Sequence, residues 1–541
     1  MASTTSVRPE ESGGILKETA LFAVTSIAVL TLLRSHNLTA VDGAVRAFRL
    51  YGQDGLQFHG SSHMLYPIHV LLWTRAAALL GFNISAPLSF IRVVQEMNCV
   101  FAGLCGAMLL GILRSLGVSR AIAWASCAGW IFSRAVIMHA TNSAEPLAGL
   151  FWSVLALAIV LRACRSGRMW LFTPAGILLA LSMASYQSMV LMAVGCGILA
   201  LIWPWNGTWA TGRSLTTAGL LTLSFCAGLL VIIGISYRLQ NVTSPSGALH
   251  LFFASSDNPV FSGFSFSKTA NLLTGLAANV FVCFPAGASL HDITRHFGDW
   301  APRFLLAAVS IVGVYLLLAR RYFREEMNSR SDLWRVVLAA FTVLLLALML
   351  NSYWVPLYDK MWLQPLWLLW LTGAIFAQTV RRDSPRLIGF AAGFVVAVVV
   401  TNLAIAIQQA RAPWPGVEEA SRVNSFVGDR DLVVTDWGEM SSVYENMWGR
   451  DRAWDFVSAT GEYRSHTPDE LKRRIAEVRA HQGSVYFLGL LDEQRATWDP
   501  FLGARCGVPF DALDDYRQRS KVIASFRTHD SIITLRRFDA E

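Results

Sequence analysis

Apolar residues form long runs, separated by short polar segments, from Ile15 to about Gln408. The runs hold roughly 17 to 25 residues each, and about 20 residues are enough for a helix to cross the ~30 Å hydrocarbon core of a bilayer. The pattern predicts about eleven spans. They are Ile15–Leu33, Leu88–Leu113, Ala121–His139, Pro146–Leu161, Met169–Tyr186, Met189–Trp203, Leu215–Tyr237, Phe304–Leu318, Leu333–Asn351, Met361–Val380 and Leu387–Gln408.

Two further apolar segments do not fit a full crossing. Pro67–Phe82 is short and is interrupted by Arg75, which is typical of a helix that lies along the membrane interface. Asn271–Leu290 is interpreted as re-entrant or interfacial, because the arginine clusters of the short loops then all lie on the cytoplasmic side. The odd number of spans places the N-terminus in the cytoplasm and the C-terminus outside.

The composition changes to that of a water-soluble domain from Arg411 onward. Short β-like runs occur at Asp431–Trp437, Ser484–Leu491 and Ser531–Phe538, and a helical pattern covers Pro468–Gln482. Alternating strands and helices predict a small α/β domain. We therefore divide the chain into a cytoplasmic tail (1–14), a membrane domain (15–408) with a large first extracytoplasmic loop (35–87), and an extracytoplasmic C-terminal α/β domain (409–541).

Composition and charge narrow the choice of function. With 54% hydrophobic and 15% charged residues, the chain is not a single soluble globule. The net charge of +8 comes largely from arginines in short loops, where membrane topology explains it, so no nucleic-acid partner is expected. The eight cysteines have no zinc-site spacing and form no disulfide framework. The first apolar run lacks a cleavage site and is expected to remain as an anchor.

The loop after the first span is rich in ionisable and aromatic residues. It carries Asp42, Arg46, His59, His63 and Tyr66. Ionisable groups held against a membrane are costly, so a loop that keeps several of them indicates function. We interpret it as half of an active site. Two alternatives stay open: Asp42 as the cap of a following helix, and His59 with His63 as a metal pair that lacks an evident third ligand.

Further polar residues fall on the same predicted side of the membrane, near the outer ends of the spans. They are Arg92, Glu96, Arg134, His139, Glu145, Tyr358, Asp359 and Lys360. Charged groups inside a membrane protein usually face the bundle interior and pair with one another or line a polar path. One outward-facing cavity can therefore hold them all.

Four of these residues also have structural interpretations. Arg92 and Glu96 are four residues apart on one helical face and can form a structural ion pair. Lys360 can be an interface residue whose ammonium group reaches the headgroups, as can Arg75. Glu145 precedes a proline and can simply begin a helix.

The order of these features resembles the GT-C superfamily of membrane glycosyltransferases, which includes protein O-mannosyltransferases and the lipid A aminoarabinose transferase. The resemblance covers about Ile15 to Gln408 and rests on short matches in a common order. They are VDGAVRAF followed by HMLYP in the first loop, FIRVVQE, SAEPLAG and YDKMWLQPLW. One departure is Gly43, where many members carry a second acid after the loop Asp.

The resemblance implies a sugar transfer from a polyprenyl-phosphate donor to a glycan, lipid or protein acceptor, with inversion. Asp42 is then the general base and Glu145 the second catalytic residue. Arg46, His59, His63, Tyr66, Arg92, Glu96, Arg134, Tyr358 and Lys360 are the expected substrate-binding residues. No cofactor is expected, although Gly43 leaves the use of a divalent cation open. The location depends on the cell: the bacterial inner membrane, with the active site on the periplasmic side, or the endoplasmic reticulum of a eukaryote. The near absence of disulfide potential in the exported domain favours the bacterial inner membrane.

Two other classes of function remain as alternatives. A secondary transporter or flippase for a small or lipid-linked solute would also place charges in a cavity, but such sites usually lie near mid-membrane between repeated halves. Here the charges gather at one face and no repeat is visible. The other alternative is a non-catalytic membrane scaffold whose exported domain binds a partner.

Overall fold

The computed structural model describes most of the chain. The described residues are 9–34, 64–143, 145–204, 211–239, 263–281, 290–326, 333–381, 383–411, 415–435, 439–449, 452–456, 467–492, 494–495, 498, 508–527 and 532–539.

Helices make up the described chain as far as residue 411. They are α1 (Pro9–Leu32), α2 (Tyr66–Leu79), α3 (Pro87–Ser115), α4 (Arg120–Ile131), α5 (Arg134–Thr141), α6 (Pro146–Ser166), α7 (Phe172–Ser185), α8 (Leu191–Ile202), α9 (Thr211–Leu239), α10 (Phe266–Val280), α11 (Leu290–Arg295), α12 (Phe297–Glu326), α13 (Leu333–Tyr353), α14 (Leu363–Val380) and α15 (Pro385–Arg411). Short 3-10 turns precede α7, α8 and α14, at Met169–Leu171, Gln187–Val190 and Asp359–Trp362.

Eight of the described helices are long and apolar enough to cross a membrane: α1, α3, α6, α9, α12, α13, α14 and α15. The pair α4 and α5, bent by 61°, raises the number to nine if it forms one span. The chain is thus an integral, multi-pass membrane protein. The predicted number of about eleven is not confirmed, because α7 and α8 are apolar but shorter than the other spans. Helix α10 covers part of the predicted re-entrant segment and is not among the eight.

The polar side chains of the bundle collect at two opposite ends. At one end Glu18 of α1 lies 3.4 Å from Arg114 at the end of α3 and 3.2 Å from Arg120 at the start of α4. At the other end Arg34, just after α1, pairs with Glu96 of α3 at 2.5 Å. Because α1 and α3 are adjacent and antiparallel, these two pairs mark the two ends of the bundle. We call the end that holds Arg34 the site end.

The C-terminal part contains a mixed five-stranded sheet. Its strands are β1 (Leu432–Thr435), β2 (Ala453–Asp455), β3 (Val485–Leu488), β4 (Ser520–Arg527) and β5 (Ile532–Phe538), in the order β2-β1-β3-β5-β4. Strands β2, β1 and β3 are parallel, whereas β5 is antiparallel to both β3 and β4. The helices of this part are α16 (Pro415–Asn424), α17 (Glu439–Met447), α18 (Pro468–Ala480) and α19 (Asp514–Arg519).

One apolar cluster joins the C-terminal part to the site end. It contains Tyr66 and Val70 of α2, and Phe90, Ile91, Val94 and Met97 of the first half of α3. Buried residues of α16, α17 and the sheet, such as Val423, Tyr444 and Val433, belong to the same cluster. Buried apolar surface of this kind is what holds two structural units together. The sheet and its helices are therefore packed at the end of the bundle where Arg34 and Glu96 lie.

Candidate functional site

Three short pieces of chain converge at the site end. Helix α5 carries Arg134 and His139, helix α6 begins directly after Glu145, and the 3-10 turn Asp359–Trp362 carries Asp359 and Lys360. All three begin or end a helix, where backbone N–H or C=O groups have no partner within the helix. In a membrane protein such helix ends are tolerated where they are buried in protein or line a polar cavity.

Glu145 and Lys360 form a buried ion pair. Lys360 Nζ donates to Glu145 Oε2 at 3.0 Å, although the two residues are 215 positions apart in the sequence. The Glu145 side chain is 0% exposed and that of Lys360 is 5% exposed. Glu145 occupies the N-cap position of α6, yet its side chain makes no capping hydrogen bond. The carboxylate is therefore directed across the bundle, toward the lysine.

Asp359 connects this pair with α5. Its Oδ1 lies 3.3 Å from His139 Nε2 and accepts a 2.8 Å hydrogen bond from the Lys360 backbone amide. A separation of 3.3 Å is long for a hydrogen bond, and the His139 side chain is almost fully buried beside the carboxylate. Arg134 acts on the Asp359 carboxylate through its charge, and its Nη1 donates to the Ala278 carbonyl at 3.2 Å.

Two tyrosines border these charges. The Tyr66 hydroxyl donates to the Ser143 carbonyl at 2.9 Å, two residues before Glu145, and Tyr66 is fully buried. The Lys360 ammonium lies 5.5 Å from the centre of the half-buried Tyr358 ring, within the range of a cation–π contact. The lysine is thus enclosed between a carboxylate and an aromatic face.

The structure brings together five of the predicted site residues. Tyr66, Arg134, Glu145, Tyr358 and Lys360 are all at this place. Asp42, Arg46, His59 and His63 lie outside the described residues. The sequence pattern places His139 and Asp359 on this side of the membrane but gives neither a role. Their contact is long-range, so no spacing in the sequence could have revealed it.

Two structural interpretations drawn from the sequence are wrong. Lys360 does not extend toward lipid headgroups, because it is 4% exposed and is paired with Glu145. Glu96 pairs with Arg34 rather than with Arg92, whose side chain is exposed. Arg34 marked only the end of the first span, and nothing in its local sequence indicated that it reaches α3.

The ionisable side chains of this place nearly cancel in charge. Arg134 and Lys360 are matched in number by Glu145 and Asp359, and His139 lies beside Asp359. Basic side chains next to buried carboxylates are held in fixed positions. Within the described ranges, no three His, Cys, Asp or Glu residues are close enough together to hold a metal ion.

Comparisons with known proteins bear on the fold. No protein-family model and no curated protein matches the chain. The crystal structure of ArnT from Cupriavidus metallidurans bound to undecaprenyl phosphate aligns with 95% of this chain and 97% of its own, at 10% identity and a TM-score of 0.54. An oligosaccharyltransferase from Archaeoglobus fulgidus, in complex with Zn and sulfate, aligns with 95% of this chain and 72% of its own, at 10% identity and a TM-score of 0.48.

A third solved structure matches over a shorter length. It is the S. cerevisiae protein O-mannosyltransferase Pmt1-Pmt2 complex bound to the sugar donor, which aligns with 42% of this chain and 34% of its own, at 14% identity and a TM-score of 0.32. The chain thus spans about a third of the length of that relative. The likeness to ArnT, at a TM-score above 0.5, confirms the GT-C resemblance at the level of the fold.

Proposed function

We propose that this membrane protein is a glycosyltransferase that moves a sugar from a polyprenyl-phosphate donor to a glycan, lipid or protein acceptor outside the cytoplasm. The observation that carries the proposal is the buried group of Arg134, His139, Glu145, Asp359 and Lys360 at the site end. A GT-C-like fold and the ArnT structure, which is bound to undecaprenyl phosphate, support the choice of donor.

Lys360 and Arg134 are the proposed contacts of the donor phosphate. A phosphate leaving group needs positive neighbours more than it needs a general acid, and charge-assisted hydrogen bonds to phosphate are strong. Glu145 holds the Lys360 ammonium at 3.0 Å, and Asp359 lies between Lys360 and His139. The carboxylates therefore orient the cations, and the cations bind the phosphate oxygens.

The proposed reaction is a single displacement at the anomeric carbon. The acceptor oxygen forms a bond to that carbon on one face, while the bond to the phosphate oxygen breaks on the other face. The polyprenyl phosphate leaves with the electron pair, and Asp42 takes the proton of the acceptor hydroxyl. The result is inversion through an oxocarbenium-like state. General-base catalysis of this kind contributes about a hundred- to ten-thousand-fold.

Further residues and the architecture complete the proposal. The binding of the sugar or the acceptor involves seven further residues: Arg46, His59, His63, Tyr66, Arg92, Glu96 and Tyr358.

About eleven segments cross the membrane, with residues 409–541 forming a separate domain that helps to recognise the acceptor. The site end faces the periplasm of a bacterial cell. The apolar cluster shared by α2, α3 and the sheet supports this arrangement, because it keeps the C-terminal part at the site end.

Transfer from a radiolabelled polyprenyl-phosphate sugar in purified membranes tests the proposal. We expect Glu145→Gln, Lys360→Met and Asp42→Asn each to lower the transfer rate at least about a hundredfold. Glu18→Gln is the matched control, because Glu18 is also a carboxylate paired with arginines, but at the opposite end of the bundle. Solute flux without consumption of the donor would support the transporter instead. Full transfer by a correctly inserted Asp42→Asn would exclude Asp42 as the base.

A further inference from the structure

Asn402 is a buried polar residue in the apolar helix α15. The residue is 1% exposed, whereas most of this helix faces away from the protein. An amide in the membrane is costly unless it is hydrogen-bonded, so its partners indicate why it is there. Its Nδ2 donates to the Phe132 carbonyl at 2.7 Å and to the Val280 carbonyl at 2.6 Å.

Both carbonyls belong to helix ends. Phe132 lies at the 61° bend between α4 and α5, and Val280 is the last residue of α10. The last carbonyls of a helix have no partner within it, and in an apolar environment they need one from elsewhere. One amide group thus stabilises the ends of two helices that come from distant parts of the chain.

The bend at Phe132 has a local cause. Ser133 has an extended backbone (φ −61°, ψ 139°), so the helix cannot continue through it. Its hydroxyl donates to the Gly129 carbonyl at 2.8 Å and accepts from Trp370 Nε1 at 3.1 Å. Ser133 therefore satisfies one carbonyl at the bend, and Asn402 satisfies another. This is how a broken helix is tolerated inside a membrane protein.

The two helix ends joined by Asn402 are also joined by Arg134. Arg134 is the first residue of α5, two residues after Phe132. Its guanidinium donates to the carbonyl of Ala278, two residues before Val280. Asn402, α5, the Arg134 side chain and the end of α10 therefore form a closed loop of contacts. The opposite end of α5 is fixed separately, because Asn98 Nδ2 donates to the Asn142 carbonyl at 2.7 Å.

We propose that Asn402 is a positioning residue that sets the place of Arg134, and of the α5 helix that also carries His139, relative to Asp359. The expected kinetic effect rests on the proposed function, in which Arg134 contacts the donor phosphate. Asn402 itself touches neither substrate. Asn402 acts through its hydrogen bonds to the backbone carbonyls of residues 132 and 280.

Asn402→Leu tests the inference, because leucine has a similar size but donates no hydrogen bond. We expect the KM for the polyprenyl-phosphate donor to rise about tenfold to a hundredfold, with the KM for the acceptor unchanged, since a small displacement of a binding group has effects of this order. Val398→Ala is the control, because Val398 is fully buried one turn earlier on the same helix. This substitution should leave the KM values for the donor and the acceptor unchanged. Asn402→Gln, which keeps the donor, should recover part of the donor affinity.

A double variant separates positioning from general loss of structure. If Asn402 acts through Arg134, then Arg134→Gln together with Asn402→Leu will raise the donor KM no further than Arg134→Gln alone. An additive effect in the double variant, or a Val398→Ala variant that behaves like Asn402→Leu, would overturn the inference.

Hydrogen exchange gives a readout that does not depend on transfer. Asn402→Leu should raise the exchange of amides in residues 129–141 and 276–281 above that of wild type and of Val398→Ala. No rise in these two segments would refute the inference even if the enzyme is active. A wild-type protein that neither transfers sugar nor binds undecaprenyl phosphate would instead refute the proposed function, and the exchange result would still decide the role of Asn402.

Discussion

At the scale of single residues, the Glu145–Lys360 pair decides what the site can do. Two charges inside a bundle lose their hydration, and their attraction compensates for this loss only if the geometry is good. Here Nζ and Oε2 are 3.0 Å apart and both side chains are buried. Such a pair adds little net stability compared with apolar residues of the same size. Its presence is therefore better explained by chemistry than by stability.

Single and double variants of this pair should therefore differ in stability. Glu145→Gln or Lys360→Met alone leaves one buried charge without its partner and should cost roughly 3–5 kcal/mol of stability. The double variant Glu145→Gln, Lys360→Met removes both charges and should regain most of the thermal unfolding temperature in detergent. It should nevertheless remain inactive in transfer. A double variant that is less stable than either single variant would show that the pair is structural.

His69 provides a second prediction at this scale. Its Nε2 accepts from Trp152 Nε1 at 3.1 Å, and burial lowers the pKa of the imidazole to about 4 from its ordinary value of 6.5. The unfolded chain therefore takes up a proton below pH 6.5 while the folded chain resists protonation down to about 4. The contribution of the neutral His69 to the free energy of unfolding should be fully present above pH 6.5. It should fall toward pH 4, by at most about 1.4 kcal/mol per pH unit for this proton.

Thermal unfolding at pH 7, 6 and 5 measures this dependence. His69→Gln keeps an acceptor for Trp152 but cannot be protonated, so its unfolding temperature should vary less with pH than that of wild type. His481→Gln is the control, because His481 is an exposed histidine at the end of α18. An equal slope in wild type and His69→Gln would contradict the assignment of a neutral, buried His69.

At the scale of elements, close packing of α10 holds the turn that carries Asp359 and Lys360. A Cβ atom at Gly275 of α10 would lie 2.2 Å from the Pro356 carbonyl oxygen and 2.9 Å from the Trp362 ring. The Trp362 indole in turn donates to the Pro356 carbonyl at 2.7 Å. Only glycine permits this approach, so the distance between α10 and the turn is set by a missing side chain.

Gly275→Ala should therefore displace the turn. Alanine normally stabilises a helix interior by about 0.5–1 kcal/mol over glycine, but here the contact with backbone at 2.2 Å outweighs that gain. We expect a lower unfolding temperature and a loss of transfer. Gly219→Ala on α9 is the control, because a Cβ there meets nothing within 4 Å and should be neutral or stabilising. A fully active Gly275→Ala would show that the turn is not held by α10.

The elements that follow from periodicity could be predicted, and the irregular ones could not. Hydrophobic length alone located the long spans, and β-propensity located β1, β3 and β5. Strand β2 has only three residues and β4 is largely exposed, so neither has a clear pattern. The bend at Ser133 contains no proline, and the hydrogen bonds that stabilise it, from Trp370 and Asn402, come from distant helices.

The same distinction applies to the site. Arg134, Glu145 and Lys360 could be chosen because ionisable residues within a helical bundle are rare. Tyr66 and Tyr358 could be chosen only from the short motifs HMLYP and YDKMWLQPLW. Which of them touch could not be inferred, since Glu145 meets a residue 215 positions away. Local spacing even suggested the wrong partner for Glu96, which pairs with Arg34 instead of Arg92. Pairing between helices depends on how the helices are arranged, and one sequence does not state that arrangement.

At the scale of the whole molecule, the two ends of the bundle differ in composition. The end that holds Glu18 also has exposed arginines in or beside its short connections, such as Arg165 in the last turn of α6 and Arg168 just after it. The site end instead holds the buried Glu145–Lys360 pair and packs against the sheet through the cluster around Tyr66. Arginine-rich short loops favour the cytoplasm. The site and the C-terminal part should therefore both face outward.

Cysteine labelling in intact cells tests this orientation. Ser425→Cys lies in the exposed turn after α16, and Arg168→Cys lies in the exposed connection between α6 and α7. We expect a membrane-impermeant maleimide to modify Ser425→Cys but not Arg168→Cys in intact cells. After permeabilisation the maleimide should modify both variants. Wild type serves as the baseline, because five of the six described cysteines are buried. Labelling of Arg168→Cys alone would place the site in the cytoplasm, where a polyprenyl-phosphate sugar facing outward could not reach Lys360.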